Sequence, residues 1–360
     1  MKKVVVLTYF DGINYGAFAQ TYALQKKLES FGCEALALAY KSLKHHKNEY
    51  LSLFKTTKFR IFLRNYGKYR KFRNSQKLIR KSKRYYFPRS LKNIGKYDLV
   101  IFGSDEIWNF KNNLSELDLA FFGKYFSEDL KKASYAASFG GVSLTDKIPG
   151  EIIKLISKLD KISVRDENSR KILLQALPNK KVFQVLDPTF LYDFKNEIRK
   201  IELSEDFIVF YGISIEANDQ SFLDSLLTFS NDRNLKIISL GYYHDWADIN
   251  LTNLTPFDWI SYIDSAKFVV TNMFHGTIFA IKCNKNFITL NSNRRRNKID
   301  SLVADFKLQN RIVDGSIDYE SFSKILNSKI DYQAINNLIS LNVQKSEEYL
   351  IEIINLNESE

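Results

Sequence analysis

His275 is the side chain in this sequence best matched to proton transfer near neutral pH. It is one of four histidines in 360 residues, and it stands in "TNMFHGTIFAI", residues 271–281, between the β-branched run "FVVTN" and a stretch that reads as the start of a helix. An acid–base role is one reading of that position, with Gly276 beside it leaving room for a ligand. A structural histidine bonded to a backbone carbonyl is the other. Arg165, in "SVRDENS", ends another apolar run. A guanidinium is a fixed fork for carboxylate or phosphate oxygens, or else it forms a surface pair with Asp166 or Glu167. "NSNRRRNKID" sets Arg294, Arg295 and Arg296 together just past a further apolar run, as ligand cations or as a solvated basic loop. "GSDEIWN", residues 103–109, offers Gly103, Ser104, Asp105 and the indole of Trp108. Such groups suit sugar or phosphate recognition, and equally suit a capped turn with a core tryptophan. In "FDGINYGAF", Asn14 and Tyr15 lie between Gly12 and Gly16, in a turn that either brings N–H groups to an anion or caps a helix. Asp187 precedes Pro188 and is held extended, to orient a partner or close a turn.

These residues share a placement. Apolar runs that read as strands fall at 3–9, 34–40, 97–103, 132–139, 161–166 and 182–188, then at 207–213, 236–241, 267–272 and 286–291. Helical windows separate them, such as "GAFAQTYALQKKLESFG" ending at Gly32. Alternation of continuous apolar strands with helices implies parallel sheets covered on both faces. The runs form two blocks joined by the polar segment 193–205. The expected architecture is α/β: two doubly wound domains facing a cleft, at 1–192 and 206–331, followed by a C-terminal helix over 332–360. Ligands in such folds sit outside the carboxyl ends of strands, where every candidate above falls.

Composition narrows the function classes. Apolar residues at 45% and aromatics at 14% argue for folded cores. No run of eighteen apolar residues occurs, and "MKKVVVLTYFDG" reads as a first strand rather than a signal peptide. Cys33 and Cys283 show no ligand spacing and suggest reduced thiols in a cytoplasmic protein. No metal-ligand cluster is evident, and the adjacent His45 and His46 are expected to be exposed. The charge is local: Tyr50 to Tyr97 holds sixteen Lys or Arg and no acid, more than the chain's net +12. This basic helical insertion, about 50–97, interleaves its charges with Phe, Tyr, Ile and Leu. It reads as a solvated helix pair with its aromatics turned inward, as a contact for an anionic membrane or lipid diphosphate, or as a nucleic-acid surface.

"NYGAFAQTYAL", "GSDEIWN", "SYAASFG", "VRDENS", "LDPTFLY" and "TNMFHGTIFAI", in this order over roughly residues 14 to 281, resemble the polysaccharide pyruvyl transferase family. The resemblance implies two Rossmann-like domains of the GT-B type. It implies phosphoenolpyruvate as donor, with no cofactor and no metal, and as acceptor a sugar of a surface or capsular polysaccharide precursor, possibly linked to a lipid diphosphate. The product would be a cyclic pyruvate ketal. His275 then matches the catalytic histidine and Arg165 a donor-binding arginine. Many members carry arginine two residues before the histidine. Here Met273 stands there, so Arg294, Arg295 or Arg296 is expected to supply the charge, with Gly276 on the donor side. Asn14, Tyr15, Gly103, Ser104, Asp105 and Trp108 become acceptor candidates. The basic window would meet the inner face of the cell membrane, and no nucleic acid is expected. A nucleotide-sugar glycosyltransferase of the same fold and a non-catalytic glycan-assembly protein are the alternatives.

Overall fold

The computed structural model describes residues 1–111, 117–203, 205–215, 219–291 and 296–356. The chain divides into two units. Unit 1 comprises Met1–Tyr66, Arg73–Tyr192 and Ile339–Glu360, and unit 2 comprises Gly67–Phe72 and Asp193–Leu338.

The first unit is built from β1 (Lys3–Leu7), α1 (Tyr15–Ser30), β2 (Glu34–Ala37), α2 (Leu43–Phe54), most of α3 (Phe59–Ser75), β3 (Leu99–Phe102), β4 (Lys131–Ser134), α4 (Gly150–Ser157), β5 (Ile162–Val164), α5 (Glu167–Ala176) and β6 (Val182–Gln184). The sheet runs β2-β1-β3-β4, all parallel, and the β5–β6 pair continues it through parallel bridges of Ala133 with Lys161 and Ala137 with Val164. A parallel strand is buried on both faces, and "KVVVL" is built for that. Val4 and Val6 join Leu24 and Leu28 of α1, while Val5 and Leu7 join the opposite core with Phe102, Phe122 and Phe139. That split follows from the two-residue period of a strand. Asn14 starts α1 by accepting from Ala17 N at 3.1 Å, and Gly32 closes the turn after it at φ +77°.

The second unit contains β7 (Phe207–Tyr211), α6 (Gln220–Asp232), β8 (Lys236–Leu240), β9 (Ile249–Leu251), α7 (Pro256–Ser265), β10 (Phe268–Thr271), α8 (Phe274–Lys282), β11 (Asn286–Leu290), α9 (Arg296–Asp305), β12 (Ile312–Val313), α10 (Tyr319–Asn327) and the start of α11 (Tyr332–Ile354). Its parallel order is β12-β11-β10-β7-β8-β9. Counted within the unit this is the Rossmann order 3-2-1-4-5-6. Phe222 and Phe229 of α6 and Phe322 of α10 pack on Ile208, Phe210, Val270 and Ile288.

The strand order reverses once in each unit, between β1 and β3 and between β7 and β10. At such a point neighbouring βα loops diverge and leave a crevice at the carboxyl edge.

All ten expected strands are present, most of them shorter at the ends. Strands β9 and β12, of three and two residues, had no apolar run to announce them. The segment 193–205, read as a linker, is counted with unit 2, as are Gly67–Phe72 of the basic insertion. Beyond Ser75 that insertion holds only 3-10 turns, at Gln76–Leu78 and Pro88–Asn93, and parallel bridges from Lys81 and Tyr85 to Ala37 and Tyr40. The last part of α11 returns to unit 1, where Tyr349 Oη donates to Ser134 O at 2.8 Å.

Candidate active site

In unit 2 the reversal point carries His275. Thr271, the last residue of β10, donates its hydroxyl to Tyr211 O of β7 at 2.6 Å and accepts from Met273 N at 3.0 Å. Asn272 Nδ2 donates to Ser214 O at 2.6 Å. These bonds lash together the two strand ends that flank the crevice. Helix α8 begins at once: Thr277 N donates to Met273 O at 3.0 Å. Gly276 is required there by packing. A Cβ at this position would lie 2.2 Å from Thr271 Oγ1, so only glycine lets the helix start this close to the strand. His275 occupies the first turn of α8 with 8% of its surface exposed, and the Phe274 ring stands edge-on to it at 5.3 Å. A helix N-terminus presents N–H groups and a partial positive charge to an anion.

Of the three clustered arginines, Arg294 and Arg295 lie outside the described residues. Arg296 opens α9, and its Nη2 lies 2.9 Å from Asp314 Oδ1, both side chains about half exposed. Its charge is shared with that carboxylate, in a pair too exposed to hold it firmly. Among the described residues, a cation that approaches the histidine turn is one the sequence did not single out: Lys298 Nζ lies 5.4 Å from the centroid of the Phe274 ring. His244 was also missed. It follows β8 and is buried, its Nε2 is 3.0 Å from Gly212 O, and its ring stacks on Trp246. Burial holds its pKa below the usual imidazole value, against the hydrogen bond to Gly212 and the charge of Asp245.

In unit 1 the structure brings Ser104, Asp105, Arg165 and Asp187 together from the ends of three strands. Arg165 is buried, with Nη1 2.8 Å from Asp187 Oδ2 and Nη2 3.4 Å from Asp105 Oδ1. Burial works against its charge, but Asp187 and Asp105 outweigh that and raise its pKa. Asp187 Oδ1 also accepts from Thr189 N and Oγ1 at 3.0 and 2.8 Å, so it closes the turn and orients the arginine at once. Thr8 Oγ1, just past β1, donates to Ser104 O at 2.8 Å. Gly103 has φ +120°, and a Cβ there would meet the Tyr135 carbonyl oxygen at 2.1 Å. Asp166, next to Arg165, adds its charge to that of Asp187 and Asp105 around the guanidinium, as a lesser contribution. It caps α5 through Ser169 N and accepts from Ser138 Oγ at 2.6 Å.

Three expectations are corrected here. Trp108 is not an aromatic platform: it is wholly buried, stacks beside Phe122, and spends its indole N–H on Phe121 O at 3.0 Å. Tyr15 is likewise buried, while Asn14 beside it is exposed and serves as the cap of α1. A further charged group lies just past β1 and β2. The buried Lys41 ammonium sits 2.5 Å from both Asp11 Oδ1 and Glu49 Oε2, and Arg84 Nη1 is 2.8 Å from Asp11 Oδ2. Burial would raise the Asp11 pKa, but Lys41 and Arg84 hold it below the ordinary carboxylate value. Asp11 stands in the loop after the first strand, in "YFDG", the signal that would have found it. His45 is half-buried against Tyr9 rather than exposed, and its burial lowers its pKa, with Lys41 adding to the effect. Among the described residues no three His, Cys, Asp or Glu gather as a metal ion would require.

Two Rossmann-like units, each with polar groups at the carboxyl ends of its strands, define a protein of the GT-B class. The chain belongs to the polysaccharide pyruvyl transferase family, whose model matches residues 14–294. Solved structures share the fold over nearly the whole chain. The S. aureus MnaA–UDP complex is 13% identical with TM-score 0.58, covering 99% of this chain and 96% of that one. The UDP-GlcNAc 2-epimerase from Neisseria meningitidis bound to UDP-GlcNAc is 12% identical with TM-score 0.56, covering 98% and 99%. Arabidopsis thaliana UGT89C1 complexed with UDP is 10% identical with TM-score 0.54, covering 99% and 100%. No curated protein matches the sequence.

Proposed function

We propose that the protein transfers the pyruvyl group of phosphoenolpyruvate to two hydroxyls of a sugar in a polysaccharide precursor, forming a cyclic ketal. The observation that carries this is the sheltered His275 in the first turn of α8, at the strand reversal of unit 2 and within the segment the family model matches. The donor is a small anion with an electron-rich double bond. His275 gives a proton to its methylene carbon, and the π electrons form the new C–H bond. The adjacent carbon becomes cationic, one sugar hydroxyl adds to it, and that hydroxyl's proton passes back to the imidazole. The C–O bond to phosphate then breaks, phosphate leaving with its electron pair. The second hydroxyl adds, and its proton leaves with phosphate. The net change is one donor and one diol to one ketal and one phosphate. A positioned acid–base group contributes about 10²–10⁴-fold.

The α8 N-terminus, Lys298 and Arg296 are the described groups suited to the donor's negative charge, and Arg294 and Arg295 remain candidates by sequence. Arg165 acts through Asp105: held by Asp187, it fixes the carboxylate that with Asn14 is offered to the acceptor, while the wholly buried Ser104 supports the turn from beneath. The test is phosphate release from phosphoenolpyruvate in the presence of candidate glycans, with mass spectrometry of the product for a pyruvate ketal. Ketal formation dependent on His275 supports the reading. Stabilisation by nucleotide sugars with no response to phosphoenolpyruvate would replace it with glycosyl transfer.

A further inference from the structure

The α2–α3 hairpin carries an apolar stripe on its outer side. Asn65 Nδ2 of α3 donates to Leu53 O of α2 at 2.6 Å, and the Phe54 and Phe62 rings meet at 5.7 Å, which joins the helices near the turn. Phe59, Phe62, Leu63 and Tyr66 follow the i, i+3, i+4, i+7 spacing of a single helix face. That face is exposed: 72% for Phe59, 39% for Phe62, 50% for Leu63 and 51% for Tyr66. The inward side of α3 is held separately, by Phe72, which is fully buried. Four large apolar side chains in one exposed row are not the scattered singles of an ordinary surface. Lys55, Lys58 and Arg60 flank the row in exposed positions, Arg70 and Arg73 continue it, and α3 contains no acid.

We propose that this face of α3 docks on an anionic bilayer, with Phe59, Phe62, Leu63 and Tyr66 entering the headgroup–acyl boundary and the flanking cations meeting lipid phosphates. Two physical terms point to that partner together. An apolar row alone would fit another protein, and a basic row alone would fit a nucleic acid; an apolar row edged by cations is what lies in a lipid interface. Each Lys or Arg near an anionic surface strengthens association by about fivefold. No helix among the described residues is long and apolar enough to cross a membrane, so the contact is peripheral. The inference rests on this surface alone and stands whatever reaction the protein catalyses.

The experiment uses the full chain and vesicles of phosphatidylglycerol and phosphatidylcholine in equal parts, with pure phosphatidylcholine as control, at low and high salt. Co-sedimentation with the anionic vesicles, weakened by salt, is expected. Phe59→Ser/Leu63→Ser/Tyr66→Ser, which leaves the Phe54–Phe62 contact in place, should reduce partitioning by about tenfold or more, and Lys55→Gln/Lys58→Gln/Arg60→Gln should reduce it on anionic vesicles. These side chains are exposed, so melting temperature should hold in both variants. Phe59→Trp gives an independent reading, an emission shift to the blue on adding anionic vesicles. No binding at low salt, or unchanged partitioning of the triple serine variant, overturns the proposal. So does a concentration-dependent dimer that the serine variant abolishes, or RNA binding that the variant leaves intact while vesicles are ignored.

Discussion

Arg165 Nη1 and Asp187 Oδ2 lie 2.8 Å apart, with the two side chains 3% and 1% exposed. Their strands, β5 and β6, are neighbours, so the pair locks two loop origins together at the carboxyl edge of unit 1. A charge pair this deep is maintained by its partners, since removing one leaves the other uncompensated.

Arg165→Ala should therefore destabilise unit 1 by about 3–5 kcal/mol, read as a lowered urea midpoint. Arg165→Lys should recover part of the stability, because an ammonium cannot serve Asp187 and Asp105 with one planar fork. An alanine variant with wild-type stability would show that the pair is not structural.

His275→Gln should lower pyruvyl transfer by about 10²–10⁴-fold while leaving the melting temperature near that of the parent. Glutamine keeps polar atoms at the position and loses the acid–base function. Near-normal turnover would remove His275 from the chemistry.

Gly103→Ala should cost about 3 kcal/mol or more, since φ +120° is unfavourable for alanine and its Cβ would collide with the Tyr135 carbonyl. Gly32→Ala is the control. It shares a positive φ, +77°, but nothing lies within 4 Å of the added carbon, so about 1 kcal/mol is expected. Equal losses at the two sites, by chemical denaturation, would contradict the close approach at Gly103.

The half-buried His45 and the buried His244 make a pH prediction. Both have folded-state pKa values lowered by burial below 6.5, so the unfolded chain takes up their protons first. Their stabilising contribution is complete above pH 6.5 and is lost as pH falls through 6.5 towards the folded values. Asp118, raised by burial, opposes them at lower pH by binding its proton more tightly when folded. His244→Gln should flatten the fall in melting temperature below pH 6.5, and an unchanged slope would exclude His244 as a contributor.

Much of this protein was legible in its residues. Ten apolar runs announced ten strands, because a parallel strand buried on both faces must be apolar throughout. Their ends pointed to Asp105, Arg165 and His275 because βα loops are where such folds place polar groups. Tertiary packing decided what each group does there. Trp108 and Tyr15 carry no mark that separates a core ring from a binding ring; the closing of neighbouring layers over them made them core. Arg165 faces Asp187 rather than its neighbours Asp166 and Glu167, because the pairing depends on adjacent strands 22 residues apart and not on local spacing. Lys298 and His244 were invisible for the same reason, as side chains brought to the edge only by the path of the chain. In α3 the periodicity of aromatics and cations was plain in the sequence, but a stripe does not say which way it turns. Only packing, with Phe72 buried and Phe59 exposed, decided that.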